Sequence, residues 1–448
     1  MKKNHIDIIS MGCSKNLIDS ERLIRRLEAR GYSVSHNPES PEGEYVVVNT
    51  CGFIGDAKEE SINLLLELGN LKEEGAIGKI VAMGCLTQRY RDSLREEMPE
   101  IDMLFGKFDW SGFVDALPDL TKKSVCSWDR EITTPPHSAY LKISEGCNRM
   151  CAFCAIPLIT GRHKSRPEEE ILEEVRELTR RGVREFNVIA QDLSSYGLDL
   201  YGEHRLASLI DRMADIEGVE WIRLHYAYPA DFPMEVLDVM ARRDNVCKYL
   251  DIALQHISDN MLGRMRRHIN REETLHLLAE IRRRVPGIKL RTTLMVGFPG
   301  ETEEDFNELL DFVRTQRFDR MGAFAYSEEE GTFGALQYDD DVPEDVKQQR
   351  LDKLMEVQQE IAEEMSDELV GSEIKLLVDE ITDEGAICRS QWDSPEVDPT
   401  FCVAETDARL GDFIRARVTQ SYVFDFDAEE IEDPAEISAE ETDNGNSK

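Results

Sequence analysis

The segment EGCNRMCAFCAIP, residues 145–157, places three cysteines in one short loop with the spacing CxxxCxxC. They are Cys147, Cys151 and Cys154, and no fourth cysteine lies near them in the sequence. Structural zinc sites normally have four ligands, whereas an iron-sulfur cluster held by three cysteines leaves one iron free to bind another molecule. The spacing therefore favours a reactive iron-sulfur cluster. A zinc site is the alternative, with His163 as the closest candidate for a fourth ligand.

Strand and helix patterns alternate from this loop onward. The strand-like run AYLKIS directly precedes the loop, and helical patterns such as 271–284 and 302–316 separate the later strands. Those later strands are expected at 185–190, 221–226, 248–253, 289–296 and 321–326. Six strands with helical crossovers predict an incomplete (β/α)6 barrel within residues 138–370. Its active site should lie at the carboxyl ends of the strands, where the cysteine loop is found.

Residues 1–130 predict an open parallel α/β sheet with helices on both faces. Strand-like runs at 6–11, 45–50 and 79–84 alternate with helical patterns, as in βαβ units. Each run ends in a cysteine at the turn into the next helix: Cys13 in SMGCSKN, Cys51 in VNTCGFI and Cys85 in AMGCLTQ. These turns share the carboxyl edge of the sheet, where such sheets bind ligands. The three thiols can therefore converge, although a lone cysteine is more often a buried packing residue.

The carboxyl-terminal part predicts a long helix followed by a small antiparallel β-barrel. The helical pattern covers 342–370, with Pro343 as its start signal and Gly371 as its stop signal. Patterns with a period of two follow at 373–381, 386–391, 402–405 and 413–426, which places the barrel within residues 371–432. Residues 433–448 are acidic and poor in apolar side chains, so we expect a disordered tail.

Length and charge limit the classes of function. The chain has 448 residues, with 90 acidic and 53 basic residues and a formal net charge of −37. Direct binding to nucleic acid is therefore disfavoured, and basic partners are favoured. The sequence has no apolar run of membrane-spanning length and no signal-peptide core, so we expect a cytoplasmic protein without a membrane partner. The cytoplasm keeps thiols reduced, which favours metal or redox chemistry over disulfides for the ten cysteines.

The spacing of Cys147, Cys151 and Cys154, with the aromatic Phe153 before the last, resembles the signature of radical S-adenosylmethionine enzymes. In that superfamily the free iron binds S-adenosylmethionine, and one electron cleaves it to a 5′-deoxyadenosyl radical. The triplet of single cysteines at the sheet edge resembles the amino-terminal domain of the methylthiotransferases, and the last barrel resembles their TRAM module. The resemblance to the radical S-adenosylmethionine methylthiotransferase family covers nearly the whole chain except the tail.

Within this family the sequence is similar to the branch that acts on an aspartate of ribosomal protein S-twelve. The motifs GCSKNLIDSE and NTCGFIGDA differ from the GCQMN and NTCxVR that are typical of members acting on tRNA. The later motifs YLDIALQHIS, VGFPGETEEDF, YSEEEGT and SPEVD also resemble the first branch. Ser14, where proline is common, and Pro399, where glycine is usual, depart from its pattern.

Charge supports the same branch. Residues 371–448 carry 21 acidic and 6 basic side chains, whereas a barrel that bound tRNA should have a basic face. An acidic surface complements a basic ribosomal protein of the small subunit, which is the expected substrate. A tRNA (adenosine) methylthiotransferase is the nearest alternative. A more distant one is a non-catalytic scaffold with bound iron-sulfur or zinc.

The resemblance implies two 4Fe-4S clusters and S-adenosyl-L-methionine as cofactors. Cys13, Cys51 and Cys85 would hold the auxiliary cluster, which presents a sulfur that one S-adenosylmethionine methylates. A second S-adenosylmethionine would yield the radical at the Cys147 loop. That radical would remove a β-hydrogen from the substrate aspartate. The resulting carbon radical would then take the methylthio group. An electron donor is required, and we expect a monomer.

Further candidates for binding S-adenosylmethionine lie at strand ends of the barrel. Gln191 and Asp192 in VIAQD, and Gln255 in LDIALQH, follow predicted strands. Gly297 and Gly300 in GFPGE allow a close backbone approach because glycine has no Cβ. An ordinary strand-end or capping role is the alternative for each.

The remaining polar and thiol candidates have weaker signals. For Arg162 and Arg166 in GRHKSR a solvated basic loop is favoured over carboxylate binding. Cysteines without a partner by spacing are expected to be packing residues; they are Cys126, Cys247, Cys388 and Cys402.

Overall fold

The computed structural model describes residues 1–432, so the predicted disordered tail lies outside the described residues. The first unit contains β1 (Lys2–Ser10), α1 (Ser14–Ala29), β2 (Ser33–His36), β3 (Gly43–Thr50), α2 (Gly55–Glu73), β4 (Lys79–Gly84), α3 (Cys85–Glu97), β5 (Met103–Leu104) and α4 (Ser111–Ala116). Its strands form one parallel sheet in the order β2-β1-β3-β4-β5. The predicted open parallel sheet is confirmed.

Helices cover both faces of this sheet because successive strand residues point to opposite sides. On one face Leu23 of α1 and Phe113 of α4 pack against Ile8 of β1. On the other face Leu65 of α2 packs against Val46 of β3. Each such apolar side chain contributes about 1.5–3 kcal/mol when it is buried.

One detail of the first unit differs from the sequence prediction. The edge strands β2 and β5 were not expected, since the short segments SVSH and ML are too brief to show a strand period. Helix α2 begins after Ile54, whose side chain makes no capping hydrogen bond, and Asp56 lies in the first turn. There its carboxylate is well placed to stabilise the positive end of the helix dipole.

The second unit is a six-stranded parallel sheet. It contains β6 (Ser138–Lys142), β7 (Ser144–Glu145), α5 (Ile156–Thr160), β8 (Lys164–Ser165), α6 (Glu168–Arg180), β9 (Glu185–Ile189), α7 (Leu198–Tyr201), α8 (Leu206–Ala214), β10 (Trp221–Ala227), α9 (Glu235–Arg242), β11 (Val246–Ile252), α10 (Asp259–Arg264), α11 (Arg271–Arg284), β12 (Lys289–Val296), α12 (Glu303–Gln316), β13 (Arg320–Ala325) and α13 (Phe333–Gln337). The large strands follow the order β6-β9-β10-β11-β12-β13. Strands that neighbour in sequence are also neighbours in space, as expected for an incomplete (β/α) barrel.

The third unit is a closed five-stranded barrel that follows the long helix α14 (Glu344–Asp367). Its strands are β14 (Glu373–Thr382), β15 (Gly385–Ser390), β16 (Thr400–Val403), β17 (Phe413–Ser421) and β18 (Asp425–Glu430). The run 413–426, predicted as one strand, is divided by a turn in which Val423 has a φ of 73°. Four strand pairings are antiparallel, but β16 and β18 pair in parallel. The barrel is therefore mixed, because β18 returns to close it beside β16.

The first and third units lie at opposite ends of the central strands. Lys142, the last residue of β6, contacts Asp19 of α1. Glu185, the first residue of β9, accepts hydrogen bonds from Arg389 of β15. The first unit therefore covers the carboxyl ends of the barrel strands, and the third unit covers their amino ends. Within residues 1–432 the structure has no helix long and apolar enough to span a bilayer.

Candidate cysteine-lined active site

Cys13, Cys51 and Cys85 follow the carboxyl ends of β1, β3 and β4. Gly12 makes their approach possible: its φ is +83°, and a Cβ added there would lie 2.8 Å from Cys51 Sγ. Gly84 before Cys85 has a φ of +107°, and an added Cβ would lie 2.6 Å from the Thr50 carbonyl oxygen. A side chain at either position would separate the turns. The tertiary structure therefore brings these three cysteines to one edge, as the strand pattern predicted.

Charged and amide groups surround this first triad. Cys85 Sγ donates to Asn16 Oδ1 at 3.4 Å, and Lys107 Nζ donates to the same oxygen at 3.3 Å. Burial, together with the nearby Cys13 and Cys51 thiols, raises the pKa of Cys85 to about 12 although Lys107 opposes the shift. Burial also acts to raise the pKa of Cys13, but Lys15, Lys107 and backbone N–H groups outweigh it and hold that pKa below its usual value.

Cys147, Cys151 and Cys154 lie in the loop between β7 and α5. Arg267 Nη1 donates to Cys151 Sγ at 3.2 Å, and the backbone N–H of Arg149 donates to Cys147 Sγ at 3.5 Å. Burial raises the pKa of Cys147 and that of Cys154 to about 12 each. The Asp192 carboxylate and the Cys151 thiol add to the shift of Cys147, and the Cys151 and Cys147 thiols add to that of Cys154. N–H donors are thus directed at two of the three sulfurs of this loop.

The donor geometry does not favour a single zinc ion. The His163 ring contacts Ser165 Oγ at 3.2 Å and lies 3.8 Å from an Asp199 oxygen. Among residues 1–432, moreover, no three Cys, His, Asp or Glu side chains are arranged to bind one metal ion. In an iron-sulfur cluster each thiolate binds a different iron, so its ligands need not meet at a point.

A chain of polar contacts links the two triads across the junction of the first and second units. Lys107, which contacts Asn16 beside Cys85, also lies 4.0 Å from a carboxylate oxygen of Glu145, two residues before Cys147. Asp19 accepts hydrogen bonds from Lys107 at 2.8 Å and from Lys142 at 2.7 Å. Both triads therefore lie at the junction of the first and second units, at the carboxyl ends of the barrel strands; we call this junction the cleft.

Two glutamine oxygens in this cleft are available to a ligand. Gln191 Nε2 donates to Glu145, whereas Gln191 Oε1 is buried without a hydrogen-bond partner among the described residues. Gln255 Oε1 is likewise buried and unpaired within residues 1–432, and the backbone φ of Gln255 is 73°. Buried acceptors without a donor cost free energy, so both fit a ligand that carries an N–H group, as the amino group of S-adenosylmethionine does.

The other predicted cofactor residues make contacts within the protein. Asp192 accepts from Arg149 Nε at 2.7 Å and from the Ser194 N–H at 3.0 Å. Phe153 packs edge-on against Phe298, with ring centroids 6.4 Å apart. The backbone N–H of Gly297 donates to Glu301 at 2.7 Å, and that of Gly300 donates to Asp341 at 2.7 Å.

Both glycines have the positive φ that favours glycine. A Cβ at Gly297 would meet the Lys347 side chain, and one at Gly300 would lie 2.6 Å from the Arg264 guanidinium. Protein side chains therefore account for the close approach at these two positions. A role for either glycine in cofactor binding remains a prediction.

Several polar residues of the cleft were missed by sequence reasoning. Lys15, Asn16 and Lys107 lie around the first triad, and Arg149 and Arg267 lie around the second. In the sequence, the only indication that Lys15 and Asn16 belong to the site is that they lie within three residues of Cys13. Nothing in the sequence indicates that Lys107 and Arg267 lie at the site, because an isolated basic residue is usually solvated.

Two weaker predictions have clear outcomes. Arg166 is not part of a solvated basic loop, since its guanidinium donates to Glu174 at 2.7 Å and that carboxylate is buried. Cys126 is exposed, so the packing role predicted for it is wrong, whereas Cys247 and Cys388 are buried as expected.

Three family models match successive parts of the chain. The Radical SAM superfamily matches residues 141–313, the uncharacterized protein family UPF0004 matches residues 5–106, and the TRAM domain matches residues 370–431. The first match agrees with the central barrel and its cysteine loop. The third agrees with the closed five-stranded barrel.

Solved structures share the fold. The radical S-adenosylmethionine methyltransferase TsrM from Kitasatospora setae, solved with cobalamin and a [4Fe-4S] cluster, aligns with a TM-score of 0.54. The alignment covers 75% of this chain and 78% of that chain at 15% sequence identity. This likeness shows the architecture alone.

Relatives named ribosomal protein uS12 methylthiotransferase RimO match almost end to end. The protein from Phocaeicola vulgatus is 58% identical over 429 residues, which cover 95% of this chain and 99% of the relative. The relative from Porphyromonas gingivalis is 55% identical and that from Flavobacterium johnsoniae 45%, each with 95% of this chain and 98% of the relative covered. The chain therefore belongs to the ribosomal protein uS12 methylthiotransferase family of radical S-adenosylmethionine enzymes.

Proposed function

We propose that this protein replaces the β-hydrogen of an aspartate in ribosomal protein uS12 with a methylthio group. The reaction would use S-adenosylmethionine and two 4Fe-4S clusters, one held by Cys13, Cys51 and Cys85 and the other by the Cys147, Cys151 and Cys154 loop. One observation supports the proposal: contacts through Asn16, Lys107 and Glu145 connect the surroundings of the two cysteine triads across the junction of the first and second units. Family membership supports the substrate.

The thiols fit cluster ligands. When bound, the clusters and S-adenosylmethionine supply the electron, the radical and the sulfur that breaking an unactivated C–H bond requires. Cys85, Cys147 and Cys154 each have a pKa of about 12 without metal, so loading iron must release their protons. Arg267 and the Arg149 N–H hold Cys151 and Cys147 in place by donating to their sulfurs. Hydrogen bonds to cluster sulfurs are one of the means by which proteins set a cluster's reduction potential.

Residues around the Cys147 loop would hold S-adenosylmethionine. The oxygens of Gln191 and Gln255, which have no hydrogen-bond partner within residues 1–432, would accept from its amino group. Asp192 would act through Arg149, which it orients by a hydrogen bond of 2.7 Å. Phe153 would supply an apolar wall at the loop, and Gly297 and Gly300 would shape the turn opposite.

Each of the three units would have a different role in the reaction. Residues 1–130 would carry the auxiliary cluster, residues 138–370 would generate the radical, and residues 371–432 would dock the basic substrate protein. The last range is strongly acidic, as a docking surface for a basic ribosomal protein requires. An external electron donor would reduce the loop cluster.

The substrate is tested by offering two candidates to one enzyme. Anaerobically reconstituted protein is incubated with S-adenosylmethionine, a reductant and either uS12 or tRNA, and products are examined by mass spectrometry. We expect uS12 alone to gain a methylthio group at an aspartate. Modification of tRNA, or of neither candidate while 5′-deoxyadenosine forms, would contradict the proposal. Cys147→Ala is the inactive control.

The two-cluster assignment is tested by iron and sulfide content. We expect Cys13→Ala and Cys147→Ala each to lose about half of the iron, because each triad would hold a separate cluster. Cys247→Ala, at a buried cysteine outside both triads, should retain all of it. Full iron content in Cys13→Ala would remove the auxiliary cluster from the proposal.

A further inference from the structure

Lys15 is a cation of the cleft that forms no ion pair within 4.0 Å among residues 1–432. Its ammonium lies over the ring of Tyr226, 3.2 Å from the ring centroid. The other two lysines at this junction, Lys107 and Lys142, each form ion pairs with Asp19 and Glu145. Within residues 1–432, in contrast, no carboxylate lies within 4.0 Å of Lys15 Nζ; since an ammonium offers three N–H donors, Lys15 can receive an incoming anion.

The location of Lys15 suits a group that reacts between the triads. Lys15 lies two residues after Cys13, in the first turn of α1, whereas Tyr226 lies near the carboxyl end of β10 in the central barrel. The Lys15–Tyr226 contact therefore bridges the two units from which the triads come. A ligand held by this ammonium would lie beside the first triad and above the barrel opening.

The backbone conformation of Tyr226 supports a functional role for the Lys15–Tyr226 contact. Its φ is 63°, a left-handed conformation that is strained for a residue other than glycine. The Tyr226 N–H donates to Asp251 at 3.2 Å, which helps to hold the conformation, and Tyr226 as a residue is 38% exposed. Such strain occurs mainly at sites where a side chain must be presented in a fixed position.

Other charged groups near this contact are already engaged. Arg291 pairs with Asp398 of the third unit, and Arg223 pairs with Glu185 at 3.0 Å. His225 is buried, and its ring contacts Asn187 at 3.4 Å. Asp251, the acidic group beneath Tyr226, lies 4.0 Å from His225 Nδ1 and interacts with Lys15 only over a distance longer than 4.0 Å. Lys15 is therefore the group through which this part of the cleft attracts a carboxylate.

We propose that Lys15 binds the side-chain carboxylate of the substrate aspartate and thereby positions its β-carbon between the two triads. This inference rests on the proposed function. The β-carbon is bonded directly to that carboxylate carbon, so one ion pair limits the position of the reacting carbon. Lys15 acts as a positioning residue and takes no part in electron or atom transfer.

The test compares two substrates and three lysine variants. Binding of uS12 to the iron-loaded enzyme is measured by fluorescence anisotropy, with the target aspartate intact or replaced by asparagine. We expect the wild type to prefer the aspartate form by about tenfold or more, since a charge-assisted hydrogen bond contributes roughly 1.5–3 kcal/mol. Lys15→Met should bind both forms equally, and Lys15→Arg should keep most of the preference.

Lys79→Met is the matched control. Lys79 also lies over a tyrosine ring, that of Tyr45, but it lies at the amino end of β4, away from the cleft. This variant should retain the full preference for aspartate. Lys15→Met with an undiminished preference would overturn the inference. If Lys15→Met loses iron, Lys15→Arg provides the test instead. A Lys15→Arg variant with full iron content and no preference for the aspartate form would also overturn the inference.

The inference and the proposed function fail in different ways. If the wild type transfers no methylthio group to uS12, the proposed function is wrong and the inference falls with it. If the wild type modifies uS12 but the aspartate preference does not depend on Lys15, the inference alone is wrong.

Discussion

Gly12 is the residue that allows two turns of the first sheet to meet. Its φ of +83° is readily available only to glycine, and an added Cβ would lie 2.8 Å from Cys51 Sγ and 2.9 Å from Cys51 Cβ. The position of Cys51, a proposed iron ligand, therefore depends on a glycine at position 12. The same argument applies at Gly84, beside Cys85.

Gly12→Ala should consequently lose the first triad's iron. We expect about half of the total iron to be lost, because the second triad lies in another unit and needs no change at Gly12. Iron and sulfide analysis of anaerobic protein provides the measurement. Gly55→Ala is the control, since its added Cβ meets nothing within 4 Å, and it should keep its full iron content.

Asp251 is a buried carboxyl group whose ionisation opposes folding. Burial raises its pKa from 3.8 to about 6, although Arg291 and Lys15 partly offset the effect. Because the folded-state pKa is the higher one, the stability from Asp251 is complete below about pH 4 and is lost as the pH rises through about 6. A difference of about 2 pKa units corresponds to about 3 kcal/mol.

The stability of Asp251→Asn relative to that of the wild type should therefore increase as the pH rises. The asparagine stays neutral, so between about pH 4 and about pH 7.5 the variant should gain up to about 3 kcal/mol on the wild type. Thermal unfolding midpoints of both proteins at the two pH values check this. Asp92→Asn, at a side chain that is 91% exposed, should differ from the wild type by no more than about 0.5 kcal/mol at either pH. A pH-independent difference for Asp251→Asn would contradict the argument.

At the scale of the elements, helix α1 joins the first sheet to the barrel. Its Asp19 is buried and accepts from Lys107 of the first unit and Lys142 of the second. These pairs hold the carboxylate ionised, and its pKa lies well below the usual value because the two ammonium groups outweigh burial. Buried ion pairs of this kind fix how the first unit packs on the barrel more than they add to stability, because desolvation offsets much of the attraction between the charges.

Lys107→Met should destabilise the protein by about 3 kcal/mol or more, because it leaves buried carboxylates with too few cations. We expect a lower thermal unfolding midpoint together with partial loss of iron from the first triad. Lys2→Met removes an ion pair whose side chains are 60% and 57% exposed, and this control should cost at most about 1 kcal/mol. Equal effects of the two variants would show that the junction does not depend on Lys107.

At the scale of the molecule, the third unit closes the end of the barrel opposite the cysteines. Glu185 lies between Arg389 of the third unit and Arg223 of the barrel, at 2.8 Å and 3.0 Å, and none of the three side chains is more than 4% exposed. Arg389 also donates to Asp379 at 2.9 Å. The two arginines keep the pKa of Glu185 far below its usual value despite burial.

Arg389→Met should loosen the third unit from the barrel. Removing one partner from a buried charge cluster costs about 3–5 kcal/mol, which we expect to appear as a lower unfolding midpoint and faster proteolysis between α14 and β14. Arg415→Met is the control within the same unit, because its pair with Glu373 is 33% and 41% exposed. It should change stability by no more than about 1 kcal/mol. Unchanged proteolysis in Arg389→Met would contradict this role.

Local patterns in the chain were enough to predict the βα alternation, the strand at β12, the helix at α11, and the six cysteines as two sets at strand ends. These features repeat over a few residues, so their period and spacing can be recognised without coordinates. The folded chain alone decided that β18 pairs in parallel with β16, and that Lys107, Lys142 and Arg267 lie beside the triads. It also decided that Lys15 faces Tyr226 without an acidic partner among the described residues. Such contacts join residues far apart in the sequence, and no local period records them, because they depend on how whole units pack.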